Sequence, residues 1–236
     1  LTAVVAVFGT TISPYLFFWQ AEEEVEDEQE DPEAKPLLDA PEQAPREMAR
    51  MQYDTIVGMG LFNIIALFIM LTTAATLNSH GIIDIQTSSQ AAAALRPIAG
   101  PFAFGIFALG IIGTGLLAVP VLAGSAAYAV GETLRWRVGL ARRPGRAKLF
   151  YGTIAMATAL GALLNFSPLD PIKALFWSAV INGVAAVPIM AMIMLLGSDR
   201  RIMGKFSLTP ALKFLGWLAT AAMTAATGGM VVAWVA

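Results

Sequence analysis

The sequence predicts an all-α integral membrane protein, a helical bundle of five complete transmembrane helices plus a truncated and broken first one. Three observations predict it. Of 236 residues, 57% are hydrophobic and only 14% charged, against about 25% charged in a soluble domain. A globule of this size cannot hide so much apolar surface from water. The apolar residues fall in runs of roughly 18 or more, long enough at 1.5 Å per residue to cross a hydrocarbon core of about 30 Å. The charge is segregated, twelve of the seventeen acidic residues lying between Glu22 and Glu47 with only Lys35 and Arg46 among them.

In chain order, the first run covers residues 1–19 and is interrupted by Gly9 and Pro14. It begins at Leu1, already inside the apolar stretch, with no basic n-region or small-residue cleavage site of a signal peptide. The expectation is therefore a segment whose N-terminal half lies upstream. Residues 20–53 are rich in Glu and Pro and poor in aromatics, which predicts a solvated acidic loop. Residues 54–236 then hold five spans, near 56–77, 102–130, 149–166, 172–196 and 212–235. The second of these is long enough to tilt, or to bend at Pro120.

Orientation follows from Lys and Arg in short loops. Arg135, Arg137, Arg142, Arg143, Arg146 and Lys148 crowd the loop at 133–148; Arg200, Arg201, Lys205 and Lys213 crowd the one at 198–213. Both are expected in the cytoplasm, which places the acidic segment inside and the C-terminus outside, in a cell membrane (the inner membrane if the cell is bacterial). Trp19, Trp136, Trp177 and Trp234 fall near predicted helix ends, as an interfacial belt requires. The basic stretch RWRVGLARRPGRAK suits topology and anionic lipid better than nucleic acid.

The chemistry concentrates in Gly9-Thr10-Thr11-Ile12-Ser13-Pro14-Tyr15. Pro14 lacks an N–H and its ring clashes with the carbonyl four residues back, which predicts a freed Thr10 carbonyl; Gly9 is expected to loosen the helix further. Bare carbonyls in hydrocarbon cost several kcal/mol unless protein, water or an ion meets them. The hydroxyls of Thr10, Thr11 and Ser13 cluster at the same place. A helix broken at mid-membrane with free oxygens is a cation-coordinating device; the competing reading is a proline kink satisfied by hydroxyl back-bonding. The two stand about level on residues alone.

Asn182 needs partners inside the bilayer, either at such a site or in an interhelical hydrogen bond of about 1 kcal/mol, and its neighbours Gly183 and Pro188 predict a locally loosened helix. Asn63 and Asn165 favour the second reading more strongly. Gly110, Gly113, Gly115, Ala118, Ala123 and Ala127 predict tight helix packing. Glu132 beside Arg135 reads as a solvated pair, and His80 near Asp84 does not amount to a metal site. There is no cysteine, hence no thiolate site or disulfide. No Gly-rich phosphate loop precedes a Lys, which argues against ATP-driven transport. No acidic or basic residue stands clearly within the spans, so an acidic metal ligand or proton relay is expected upstream.

The chain resembles the Nramp family of proton-coupled divalent metal transporters. GTTISPYLFFWQA has the register of the family's sixth helix, GTGLLAVPVLAGSAAYA looks like the eighth, and ALFWSAVINGVAAVPIM looks like the tenth. The resemblance implies a LeuT-like helical bundle, of which this chain supplies helices six to eleven. Aligned on Pro14, Thr10 takes the place of the carbonyl donor and Ser13 that of the metal-binding Met; Tyr15 falls on the family's His and Leu16 on its Asn. The metal ligands so implied are Thr10, Ser13 and Asn182, with Gly9, Thr11, Pro14 and Tyr15 along the substrate path. A hydroxyl in place of a soft thioether points to a branch that accepts hard cations. The function implied is secondary active transport of divalent cations of the Mg²⁺, Mn²⁺ or Fe²⁺ class, hard ions favoured, with proton coupling left open by the replacement of the His. The metal is cargo, and no resident cofactor, enzymatic activity or nucleic-acid partner is expected. A transporter of a small organic solute on the same fold, or a non-transporting membrane subunit, remains the alternative.

Overall fold

The computed structural model describes residues 1–78, 85, 87–93, 95–164, 166–167 and 170–235. Among them only helices and the turns that join them occur: α1 (Thr2–Thr11), α2 (Pro14–Glu30), α3 (Ala44–Thr76), α4 (Ser88–Ala93), α5 (Arg96–Ala99), α6 (Ala103–Thr133), α7 (Lys148–Leu164), α8 (Pro171–Ser198), α9 (Arg200–Met203) and α10 (Pro210–Val235). His80, Asp84 and Asn165 lie outside the described residues.

Among the described residues, five helical stretches are long and apolar enough to cross a membrane: 2–30, 44–76, 100–133, 171–198 and 210–235. The most apolar stretch of 44–76 has no buried residue, and large side chains such as Leu116 and Leu175 stand exposed, as lipid-facing positions do. α7, expected to span, has 17 residues, about 25 Å of helix against a core of about 30 Å.

The acidic segment differs from expectation. It is not a loop throughout, because α2 continues from Pro14 to Glu30 and α3 already begins at Ala44. Ala and Glu are good helix formers, so AEEEVEDEQE extends the preceding helix in spite of its charge. The helix stops where proline forbids it: Asp31, before Pro32, is extended at φ −87°, ψ 112°. The turn that follows is closed by Gln43, whose amide donates to the Glu33 carbonyl at 2.8 Å and accepts from the Lys35 N–H at 3.2 Å.

The chain divides into two units, residues 1–44 with 175–236, and residues 45–174. In the second, α6 packs along α7 over Tyr128 and Phe150, whose rings lie 4.8 Å apart. The close packing expected from the glycines of α6 is absent at Gly110, Gly113 and Gly115, where an added Cβ would meet nothing within 4 Å; apart from Ala103 at its start, its buried residues lie in the later part, around Ala123 and Ala127. Asn63 donates to the Met59 carbonyl of its own helix. Glu132 and Arg135 form no side-chain ion pair, and only the backbone N–H of Arg135 reaches the Glu132 carbonyl.

In the first unit, α1 lies along α10, and Val5, Ala6, Val180 and Met230 make a buried cluster with Ala179 and Ala226 against it. The expected loosening of α8 at Gly183 and Pro188 does not occur; that helix is continuous from Pro171 to Ser198. Nearby, a Cβ on Gly216 would collide with Met194 Sδ and lie 2.7 Å from its Cε. A thioether chain can swing aside, and alanine is the better helix former by about 1 kcal/mol. Gly216→Ala is therefore expected to change stability by less than about 1 kcal/mol, read as a thermal midpoint close to that of the unmodified protein.

Candidate cation site at the broken helix

The chain leaves helical geometry between α1 and α2. Ile12 has φ −110°, ψ 81° and Ser13 has φ −93°, ψ 116°. The cause is local: the residue before a proline is pushed toward extended backbone, and Pro14 then starts α2 at the first position, where its missing N–H costs nothing. Gly9 stays helical, so the break belongs to Pro14 and not, as expected, partly to Gly9.

The oxygens of the break are arranged differently from the sequence expectation. The Thr10 carbonyl is not bare, because the Ser13 hydroxyl lies 3.1 Å from it and 3.1 Å from the Gly9 carbonyl. One hydroxyl proton serves two carbonyls, so neither is fully satisfied and the Ser13 oxygen keeps lone pairs of its own. Thr10 and Thr11 donate to the carbonyls of Ala6 and Val7 at 2.9 and 3.0 Å. The back-bonded kink and the unwound helix, posed as alternatives, coexist here. The carbonyl of Ile12 receives no backbone N–H among the described residues; the sequence reading overlooked it, although its place two residues before the proline was the available signal.

Ser13 is 4% exposed and Pro14 is buried, whereas Tyr15 and Thr11 are half-buried and Thr10 is exposed. Thr10 and Ser13 thus meet through the Thr10 carbonyl, not through the threonine side chain. Gly9 faces α8 directly: a Cβ there would fall on the Ala179 carbonyl oxygen, 2.5 Å from the Gly183 nitrogen and 2.9 Å from its Cα. A Cβ on Gly183 would lie 2.7 Å from the Val5 carbonyl oxygen and 3.3 Å from Met223 Cε. Two glycines therefore bring α1 and α8 into backbone contact, one turn before the break. Asn182 adjoins Gly183 in this crossing, half-buried, with no hydrogen bond to its amide among the described residues. α10 closes the other side with Thr220, Met223, Thr227 and Met230, all buried, a stripe that sequence reasoning missed because α10 is apolar on every face. At one end, Trp234 packs on Trp177 at 5.7 Å and its indole N–H donates to Thr2 at 3.3 Å.

Among the described residues no three His, Asp or Glu side chains gather to hold a metal. What this crossing offers a cation is neutral oxygen beside a helix break. The sequence model of the Nramp family, natural resistance-associated macrophage protein-like, matches residues 1–233. The chain belongs to the Nramp family. Membership implies divalent metal transport, and with the apolar helices it makes this a multi-pass membrane protein. No curated protein matches the chain. The Nramp match takes in the broken helix, the α8 crossing and α10 together.

Proposed function

We propose that this Nramp chain carries one side of a divalent cation site in a secondary active transporter, and that the site favours hard cations of the Mg²⁺ and Mn²⁺ kind. The observation that carries the reading is the helix break at Ile12 and Ser13, placed beside the glycine contact of α1 with α8. An ion entering there takes the Ser13 hydroxyl oxygen, the Thr10 carbonyl and the Asn182 amide oxygen as neutral hard ligands, each able to replace one water of its shell. Hard oxygen ligands bind Mg²⁺ and Mn²⁺ well and give no special advantage to softer ions, for which a thioether would be the selecting donor. Charge neutralisation of the ion comes from groups outside this chain's spans, which carry oxygens but no clear carboxylate. Tyr15 supplies no imidazole at the break, so any proton coupling runs through other groups. The basic loops face the cytoplasm and the C-terminus the outside, following the distribution of Lys and Arg.

The test is Ser13→Met, with uptake of Mg²⁺ and Mn²⁺ measured side by side in vesicles. Mg²⁺ uptake is expected to fall about tenfold relative to Mn²⁺, the equivalent of roughly 1.4 kcal/mol. An unchanged ratio of Mg²⁺ to Mn²⁺ uptake would overturn selection at Ser13.

A further inference from the structure

The second unit holds a cationic loop with a built shape. Between α6 and α7, residues 134–147 carry Arg135, Arg137, Arg142, Arg143 and Arg146, all exposed, and Lys148 follows. None of the six pairs with a carboxylate among the described residues. A loop of like charges is ordinarily extended by self-repulsion, but this one is folded back on its helices. Arg135 takes a positive φ of 56°, and the Trp136 N–H returns to the Gly131 carbonyl at 2.7 Å. Val138 then covers Gly131, where a Cβ would collide with its Cγ1.

Two tyrosines hold the middle of the loop. Tyr128, 1% exposed, accepts the Leu140 N–H at 3.1 Å. The Tyr151 hydroxyl sits 3.0 Å from both the Leu140 and the Arg142 carbonyls. Phe150, fully buried, packs against both rings, at 4.8 Å from Tyr128 and 5.4 Å from Tyr151. Arg143 and Arg146 follow on a 3₁₀ turn, Pro144–Arg146, whose Arg146 N–H donates to the Arg143 carbonyl at 2.8 Å. The polar backbone groups at the centre are thus spent on side chains, and the cations are displayed on a loop whose ordering cost is met within the fold.

We propose that residues 134–148 form a preformed binding site for the phosphate headgroup of an anionic phospholipid. Three features select that ligand. The loop joins two apolar helices, so it lies at the level where headgroups lie. Leu134 and Leu140 are exposed and Trp136 is half-buried beside the cations, which suits a boundary between acyl chain and water. Guanidinium groups bind phosphate oxygens in pairs, and a loop already in shape loses less freedom on binding.

The experiment uses the full chain in nanodiscs of phosphatidylcholine containing phosphatidylglycerol, with retained lipids counted by native mass spectrometry. The unmodified protein is expected to retain phosphatidylglycerol selectively. The exposed triple change Arg142→Gln, Arg143→Gln and Arg146→Gln is expected to cut that preference about a hundredfold, each cation near an anionic surface contributing roughly fivefold. Tyr151→Phe keeps every charge and releases both carbonyls, and is expected to cost about tenfold, the effect of roughly 1.4 kcal/mol. An unchanged preference in the triple variant overturns the site. An unchanged preference in Tyr151→Phe, or full competition by inorganic phosphate, overturns the built headgroup site in favour of diffuse attraction or a free-phosphate site.

Discussion

Gly9→Ala is expected to abolish metal uptake and to destabilise the protein together. The added Cβ would fall on the Ala179 carbonyl oxygen and come within 2.5 Å of the Gly183 nitrogen. Backbone atoms of a continuous helix cannot rotate away as the Met194 side chain can at Gly216, so α1 must move off α8 bodily. The cost lies at or above the roughly 3 kcal/mol upper end of ordinary overpacking. Displacing α1 also moves the break at Ser13 away from α8. The check is a thermal midpoint in detergent beside uptake into vesicles. Normal uptake in Gly9→Ala would show that the crossing is not what positions the break.

Pro14→Ala is expected to separate the two effects. The extended backbone of Ser13 is imposed by the following proline, and alanine favours continuing the helix through 12–14. The helix then closes, and the Ser13 and Thr10 oxygens return to intrahelical bonding. Stability is expected to hold or rise, while uptake falls about a hundredfold, the scale on which an ångström of misplacement acts at a working site. Uptake at the normal rate in a well-folded Pro14→Ala protein would remove the break from the mechanism.

Comparison of the two sites shows what was legible. Pro14 was readable because its effect is covalent and local: a missing N–H and a ring clash act wherever the chain goes. The acidic segment was misread in part because charge and proline content were weighed above the helix propensity of Ala and Glu, and an amphiphilic extension of a spanning helix obeys propensity until proline stops it. The glycines misled in the opposite direction. Gly110, Gly113 and Gly115 have the spacing of a packing face, yet a Cβ there would meet nothing within 4 Å, while Gly9 and Gly183, read as points of loosening, leave no room for one between α1 and α8.

By itself, the sequence determined that the chain crosses a bilayer and that the first helix breaks before Pro14, since hydropathy and proline geometry act over a few neighbouring residues. Only the tertiary structure decided that Gly9 meets Gly183 beside Asn182, that Ser13 shares its proton between two carbonyls, and that α10 supplies a buried stripe of Thr and Met. An apolar helix in lipid has no polar face to announce its inner side, so which small residue meets which backbone emerges only when the helices cross.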